Sequence, residues 1–397
     1  MGCAAMLDGM DSGVKIIGRL TVFALLLAAG AAGAADAQDP EKLPDLLQPL
    51  VAPYEEAFRG AGVVPTTNLH ASLPAAGGTG ELRTAGTAGL AARSAAAHAP
   101  AYIEPSLKKN VRELAALQIA LDRRGFGTGP IDASPGLKTR QALLDFRYAM
   151  PHALDEEDAR RQLLEDPAPV FIAYEVTADD LAQVGEASKD WEEAADLPAM
   201  NCHSLQEWMG EKFHASPGML RMLNPGVTKW NEELLGRRIC VPNIRPEEVK
   251  FDVRQITIDT HCFRLRGYDL RGRMVCSFPC SIAKDRTKVP AGELKVVNVA
   301  PHPNYTFDPI NFPESARARE IGRKLILPPG PRNPVGVYWV SLSQPGYGIH
   351  GTPHPETIGN MESHGCFRLC NWDAHTLGQG VMLGLPVLLD KPALILK

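Results

Sequence analysis

The stretch FDVRQITIDTHCFRLRGYDLRGRMVCSFPCSIAKD, which starts at Phe251, most restricts what this chain can fold into. Apolar and polar residues alternate along it, and a period of two puts one set on each face of a strand. Two alternating runs flank Gly267–Gly272, so the pattern predicts a β-hairpin. The segments ELKVVNVA, VGVYWVSL and LPVLLD continue the β-rich composition. The last third of the chain therefore reads as a mainly antiparallel β domain. Between its strands runs PHPNYTFDPINFPESARAREIGRKLILPPGPRNP, residues 301–334. Loops of that length in a compact domain are usually functional or disordered.

Upstream the period changes from two to that of a helix. VRELAALQIALDRRGF places Val111, Leu114, Leu117 and Leu121 at helical spacing. A turn-rich GTGPIDASPGLKT follows, then a second helix from about Lys138 with Ala142, Leu143 and Phe146 on one face. An acidic helical stretch, LDEEDARRQLLED, closes this region. The next unit has a capping box at SLQE, in which Ser204 caps the helix and Glu207 reaches back. Ser216 and Pro217 start a second short helix that Asn224-Pro225-Gly226 stops, and LLGRRICVPNI reads as a short strand.

The first residues predict export. Lys15 and Arg19 precede the apolar run LTVFALLLAAG, and Ala35-Asp36-Ala37 supplies a small-residue cleavage site. The apolar core from Leu20 to Ala29 is shorter than the ~20 residues that span a bilayer. Residues 38–105 are rich in Ala, Gly and Thr and read as a flexible linker, with a short helix in LPDLLQPLVAPYEEAF. Of eight cysteines, seven remain after Ala37, so in an oxidising compartment at least one stays unpaired within a monomer. Cys202 and Cys240 form either a disulfide or two buried thiols. The formal charge of −5 gives no sign of nucleic-acid binding.

YGIHGTPHPETIGNMESHGCFRLCNWDA carries the densest chemistry: His350, His354, His364, Cys366, Cys370 and His375. A metal site is disfavoured, because prolines and glycines between His350 and His354 prevent a helix that would align them. The Cys366–Cys370 spacing fits neither a zinc knuckle nor a C-x-x-C redox pair. A disulfide between them would consume the thiol. A nucleophilic cysteine with a histidine to take its proton fits better, and backbone N–H groups around 364–366 would serve as an oxyanion hole.

HGTPHPETIG followed by SHGCFRLCNWDA resembles the signature of the L,D-transpeptidase catalytic domain. The likeness extends to FPCSIAKD, VPAGELKV and PPGPRNPVGVYWVSL, with Val289 where a threonine often precedes the proline. The resemblance implies Cys366 as nucleophile and His350 as base, with the Gly351 carbonyl orienting its ring. It implies that His364 and Gly365 shape the oxyanion region, and that Arg368 and Asn371 support the loop or substrate carboxylates. Cys370 is a packing residue that oxidation could join to Cys366. LQIALDRRGFGTGPIDASPGLKTRQALLDF resembles a peptidoglycan-binding module. The helix–helix–strand order with LRMLNP resembles a LysM module, interrupted by an insertion of about 25 residues after AYEVT.

The expected architecture is multidomain α+β. It comprises a signal peptide (1–37), a linker (38–105), a peptidoglycan-binding-like helical module (106–165), a LysM-like module (170–246) and an L,D-transpeptidase catalytic domain (250–391). The implied activity is periplasmic: a cysteine acyl-enzyme forms on a tetrapeptide stem, releases D-alanine and passes the acyl group to an amine. The expected partners are peptidoglycan stem peptides and glycan, or a wall-attached protein as acceptor. No cofactor, metal or nucleic acid is implied, and the membrane enters only through export. A hydrolase on the same fold and a non-enzymatic wall scaffold remain the alternatives.

Overall fold

The computed structural model describes residues 105–390 except 151, 153, 245–249, 291 and 364. The expected signal peptide, and the expected linker up to residue 104, lie outside the described residues.

Three helices come first: α1 (Lys109–Arg123), α2 (Leu137–Ala149) and α3 (Glu156–Leu164). Leu117 and Leu121 of α1 pack with Leu143, Phe146 and Leu163. Asp155 caps α3 by accepting from the Asp158 N–H, and acidic residues fill the first turn, where the helix dipole favours them. Gln118 is 1% exposed and fixes the turn that follows α1: its amide oxygen accepts from Asp132 and Ala133 N–H, and its NH2 reaches Asp132 and Thr139.

The second unit starts with β1 (Phe171–Glu175). Four helices follow, α4 (Ala178–Ala182), α5 (Trp191–Asp196), α6 (Leu205–Lys212) and α7 (Pro217–Leu223), before β2 (Arg238–Pro242). The strands pair antiparallel with Ala173 opposite Cys240. Ser204 caps α6 as expected, but Glu207 reaches past the cap to the His203 N–H, 2.8 Å away. Its second oxygen binds Arg332, which is why it leans outward. Cys202 and Cys240 are both buried free thiols, the second of the two expected states. The physical reason is placement: Cys202 bridges the backbone of Val184, whereas Cys240 packs with Met219, Leu223 and Ile119.

The sheet strands are β3 (Gln255–Asp259), β4 (Arg264–Tyr268), β5 (Met274–Pro279), β6 (Ile282–Ala283) and β7 (Glu293–Pro301). The single expected hairpin is two, because Thr260–Phe263 already turns the chain, with Phe263 at φ 55°. The 301–334 segment is not a bare loop. It holds β8 (Tyr305–Phe307), α8 (Ala316–Ile321) and β9 (Leu325–Leu327), with β8 and β9 paired antiparallel. The last elements are β10 (Tyr338–Leu342), β11 (Gly348–His350), β12 (Met361–Ser363), β13 (Phe367–Arg368), α9 (Asn371–Gly380) and β14 (Pro386–Leu389).

Eight strands form one sheet in the order β13-β11-β10-β7-β14-β3-β4-β5. It is mainly antiparallel; β14 with β3 and β11 with β13 run parallel. Ile256, Ile258, Leu265, Phe278, Val340, Ile349, Phe367 and Val387 are at most 2% exposed and form its core. Burying each such side chain contributes about 1.5–3 kcal/mol before entropy is subtracted.

The helical unit closes the β5 edge of this sheet. Gly127 N–H donates to Ser277 O, and Ser277 N–H donates to Gly125 O. An unpaired edge would otherwise invite another strand. Beneath the bridge, Asp145 of α2 accepts from Arg264, Arg266 and Ser277 at 3.3, 2.9 and 2.5 Å. All three units meet where His214 lies 2.9 Å from Asp122 and stacks on Trp372, ring centroids 4.9 Å apart.

Candidate active site

Two short parallel strands build the site. Ile349 pairs with Phe367 and His350 with Arg368. Residues two apart on a strand share a face, so Cys366 and Arg368 face the same side as Gly348 and His350. Gly348 has to be glycine here, because a Cβ would sit 2.5 Å from the Trp339 ring.

His350 is 4% exposed. Its ring stacks on Trp339 with centroids 5.2 Å apart, and its Nδ1 lies 2.7 Å from the Gly351 carbonyl. A carbonyl only accepts, so Nδ1 carries the proton and Nε2 keeps its lone pair. Burial lowers the ring to about 3, against a smaller opposing push from the Gly351 hydrogen bond. The imidazole is therefore neutral across the physiological range. Gly351 is also required, since a Cβ would come within 2.2 Å of Asn371 Oδ1.

Cys366 is half-buried, and its Sγ lies 3.5 Å from the Gly346 carbonyl. Burial raises its thiol, while the Gly348 N–H and the Arg368 charge pull the other way. Burial thus favours the uncharged form of both the thiol and the imidazole.

The other expected residues separate into two groups. Gly365 N–H donates to Ser363 Oγ at 3.2 Å, and Ser363 Oγ donates to the Cys366 carbonyl at 2.5 Å. The backbone amide of Gly365 is thereby occupied. Asn371 is 2% exposed and works as a fastener: Nδ2 donates to Pro331 O and Oδ1 accepts from Val337 N–H. It also hydrogen-bonds Glu211 of α6, whose carboxyl burial raises to about 8. Arg368 lies on the edge strand beside the sulfur. His364 lies outside the described residues. Cys370 is fully buried against Ile358 and Trp372, with a thiol held well above its ordinary value by burial.

Sequence reasoning missed two neighbours. Tyr305 on β8 is close enough to Cys366 and Arg368 for their charges to act on its hydroxyl, which burial chiefly raises. Trp339 supplies the stacking face for His350. A tyrosine in a long loop and a tryptophan in a strand have no distinctive local pattern. Expected candidates His354 and His375 stand apart: His354 is exposed, and His375 contacts Gln379 and Tyr338 on α9 and β10. A different trio, Asp259, His261 and Asp390, is the one group among the described residues with metal-ligand spacing, and it is outside this motif.

Fold and site together define an enzyme class. The L,D-transpeptidase catalytic-domain family matches residues 254–389. The chain is 30% identical over 182 residues to the L,D-transpeptidase YkuD of Bacillus licheniformis, covering 46% of this chain and 90% of that protein. It is 31% identical over 180 residues to YkuD of Bacillus subtilis, covering 45% and 89%. Among solved structures, the catalytic domain of an E. faecium L,D-transpeptidase aligns at 22% identity and a TM-score of 0.26, covering 35% of this chain and 98% of that one. The chain belongs to the L,D-transpeptidase family, and it is an enzyme of that class.

Proposed function

We propose that this enzyme is a periplasmic peptidoglycan L,D-transpeptidase acting through a Cys366 acyl-enzyme. The observation that carries the reading is the parallel β11–β13 pairing, which brings Cys366, a buried neutral His350 and Arg368 to one face. His350 Nε2 takes the thiol proton as Cys366 Sγ attacks the carbonyl of the third residue of a tetrapeptide stem. The C–N bond to the terminal D-alanine breaks, and the imidazolium protonates the departing amine. An amine then attacks the thioester, His350 accepts its proton, and the sulfur leaves and recovers a proton.

The developing oxyanion needs backbone donors. With the Gly365 amide occupied by Ser363, we assign the leading contribution to the Cys366 N–H, with Gly365 and His364 shaping the loop around it. Arg368 takes a substrate carboxylate, while Gly351 and Asn371 hold the base in place. We extend the proposal to residues 106–165 and 170–246 as peptidoglycan-binding-like and LysM-like modules that hold the glycan, and to a wall-attached protein as a second kind of acceptor. Export through residues 1–37 and a linker over 38–105 complete the proposed chain.

The test is incubation with disaccharide-tetrapeptides and mass analysis of the products. Cross-linked dimers with released D-alanine support the proposal, and tripeptides alone point to the hydrolase. Cys366→Ala should reduce turnover by about 10⁴-fold or more. A variant that retains turnover would refute the mechanism.

A further inference from the structure

Beside the site lies a cavity of about 380 Å³ with walls from two different units. One wall is catalytic: Arg368, Thr352 and Pro353. The facing wall is the insertion in the second unit: Lys189, Asp190 and Trp191, at the start of α5. That wall is anchored. Trp191 stacks on Phe307 with centroids 4.7 Å apart, and Arg317 binds Asp190 and Glu192 at 2.5 and 2.8 Å. Met200 N–H donates to Pro329 O, and Arg332 N–H donates to Met200 O.

The charges lining the cavity are unequally matched. Asp190 is already engaged by Arg317 and by the N–H groups of Glu192 and Glu193. Arg332 is held by Glu207 at 2.6 Å. Lys189 and Arg368 are left: neither side chain has an ion-pair partner among the described residues. The Arg368 Nε is buried with no hydrogen-bond partner among them. The Arg368 residue is nevertheless only half-buried and lines the cavity, so its guanidinium offers a charged fork that suits a carboxylate.

We propose that this cavity is a carboxylate subsite for a peptide stem, in which the Arg368 guanidinium supplies one cation and Lys189 of the insertion supplies a second. The inserted helix is then a wall of the substrate cleft and a determinant of specificity, not a spacer. The proposal rests on the function given above, and it goes beyond it by assigning substrate recognition to a residue outside the catalytic domain. The carboxylate comes either from the acyl donor or from the acceptor amine's own stem.

Lys189 is exposed, so substituting it should leave folding intact. Wild type, Lys189→Glu and Lys189→Arg are assayed in two arms: donor titration with release of D-alanine, and acceptor titration at saturating donor. Lys189→Glu should raise KM in one arm by about fivefold with little change in kcat, as a partly screened charge contact would. The arm affected identifies the source of the carboxylate. Lys189→Arg should stay near wild type, and stems with amidated carboxylates should erase the difference. The rate of Cys366 alkylation by iodoacetamide should be unchanged. Equal KM for wild type and Lys189→Glu in both arms overturns the subsite while leaving the catalytic reading intact, and so does an undiminished effect with amidated stems. A wild type that turns over no stem overturns both.

Discussion

Where the helical unit meets β4 and β5, the side chains of Arg264 and Asp145 are 0% and 3% exposed, and their charges have no water to turn to. Where the insertion meets the 301–334 segment, Arg317 and Asp190 pair at 39% and 29% exposure around a stack of Trp191, Phe307 and Phe312. The first junction seals a sheet edge. The second borders the cavity next to Arg368. A buried, fully bonded charge cluster fixes one arrangement, because any shift strands a charge in an apolar medium. An aromatic stack with solvated ion pairs tolerates small displacements, which suits the substrate wall proposed above.

That contrast yields measurable differences. Asp145→Ala leaves two arginines buried without their carboxylate, and should cost about 3–5 kcal/mol in urea unfolding. Protein that remains folded should keep a wild-type kcat/KM; a kinetic defect without a stability loss would break the contrast. Trp191→Ala should cost less, about 1–3 kcal/mol, since the ring is only half-buried. Its larger signature should be faster amide exchange across 305–327 and a weakened reaction.

Effects of pH come next in size. His350 is lowered in the folded state, so between about 3 and 6.5 the unfolded chain binds more protons, and stability should fall as pH drops through that window. Glu211 is raised, so between about 4.5 and 8 the folded chain keeps a proton that the unfolded chain has lost, and stability should fall as pH rises. Urea titrations at several pH values should show both limbs, and Glu211→Gln should remove only the alkaline one. The smallest effect is that of salt. Molar NaCl should loosen the Arg317 pairs, seen as faster exchange near α8, and leave the screened-from-water Asp145 cluster unchanged.

Part of the site was legible because its signals are local. The cysteine, the histidine sixteen residues earlier and the glycines around them stand in one short stretch. Helix starts were legible for the same reason: Ser204 and Ser216 cap the helices that follow them. The Glu207 side chain was misread in detail because Arg332, 125 residues away, competes for it. The expected bare loop at 301–334 became ordered because Trp191, from a distant insertion, completes a small core that the segment cannot form alone. Cys202 and Cys240 share a unit, which leaves a disulfide open in the sequence, but their backbones are tied to different strands and turns.

The sequence by itself determined the alternation that makes the sheet, the helix caps, and the residue types that make nucleophilic chemistry possible. Those are properties of neighbours, fixed by the strand and helix periods. Tertiary structure decided which histidine is buried, that Asn371 bonds the Pro331 and Val337 backbone, and that an inserted helix from another unit lines the cavity beside Arg368. These depend on packing and desolvation between residues more than a hundred positions apart, such as Asp190 and Arg317, and no local pattern encodes such a contact.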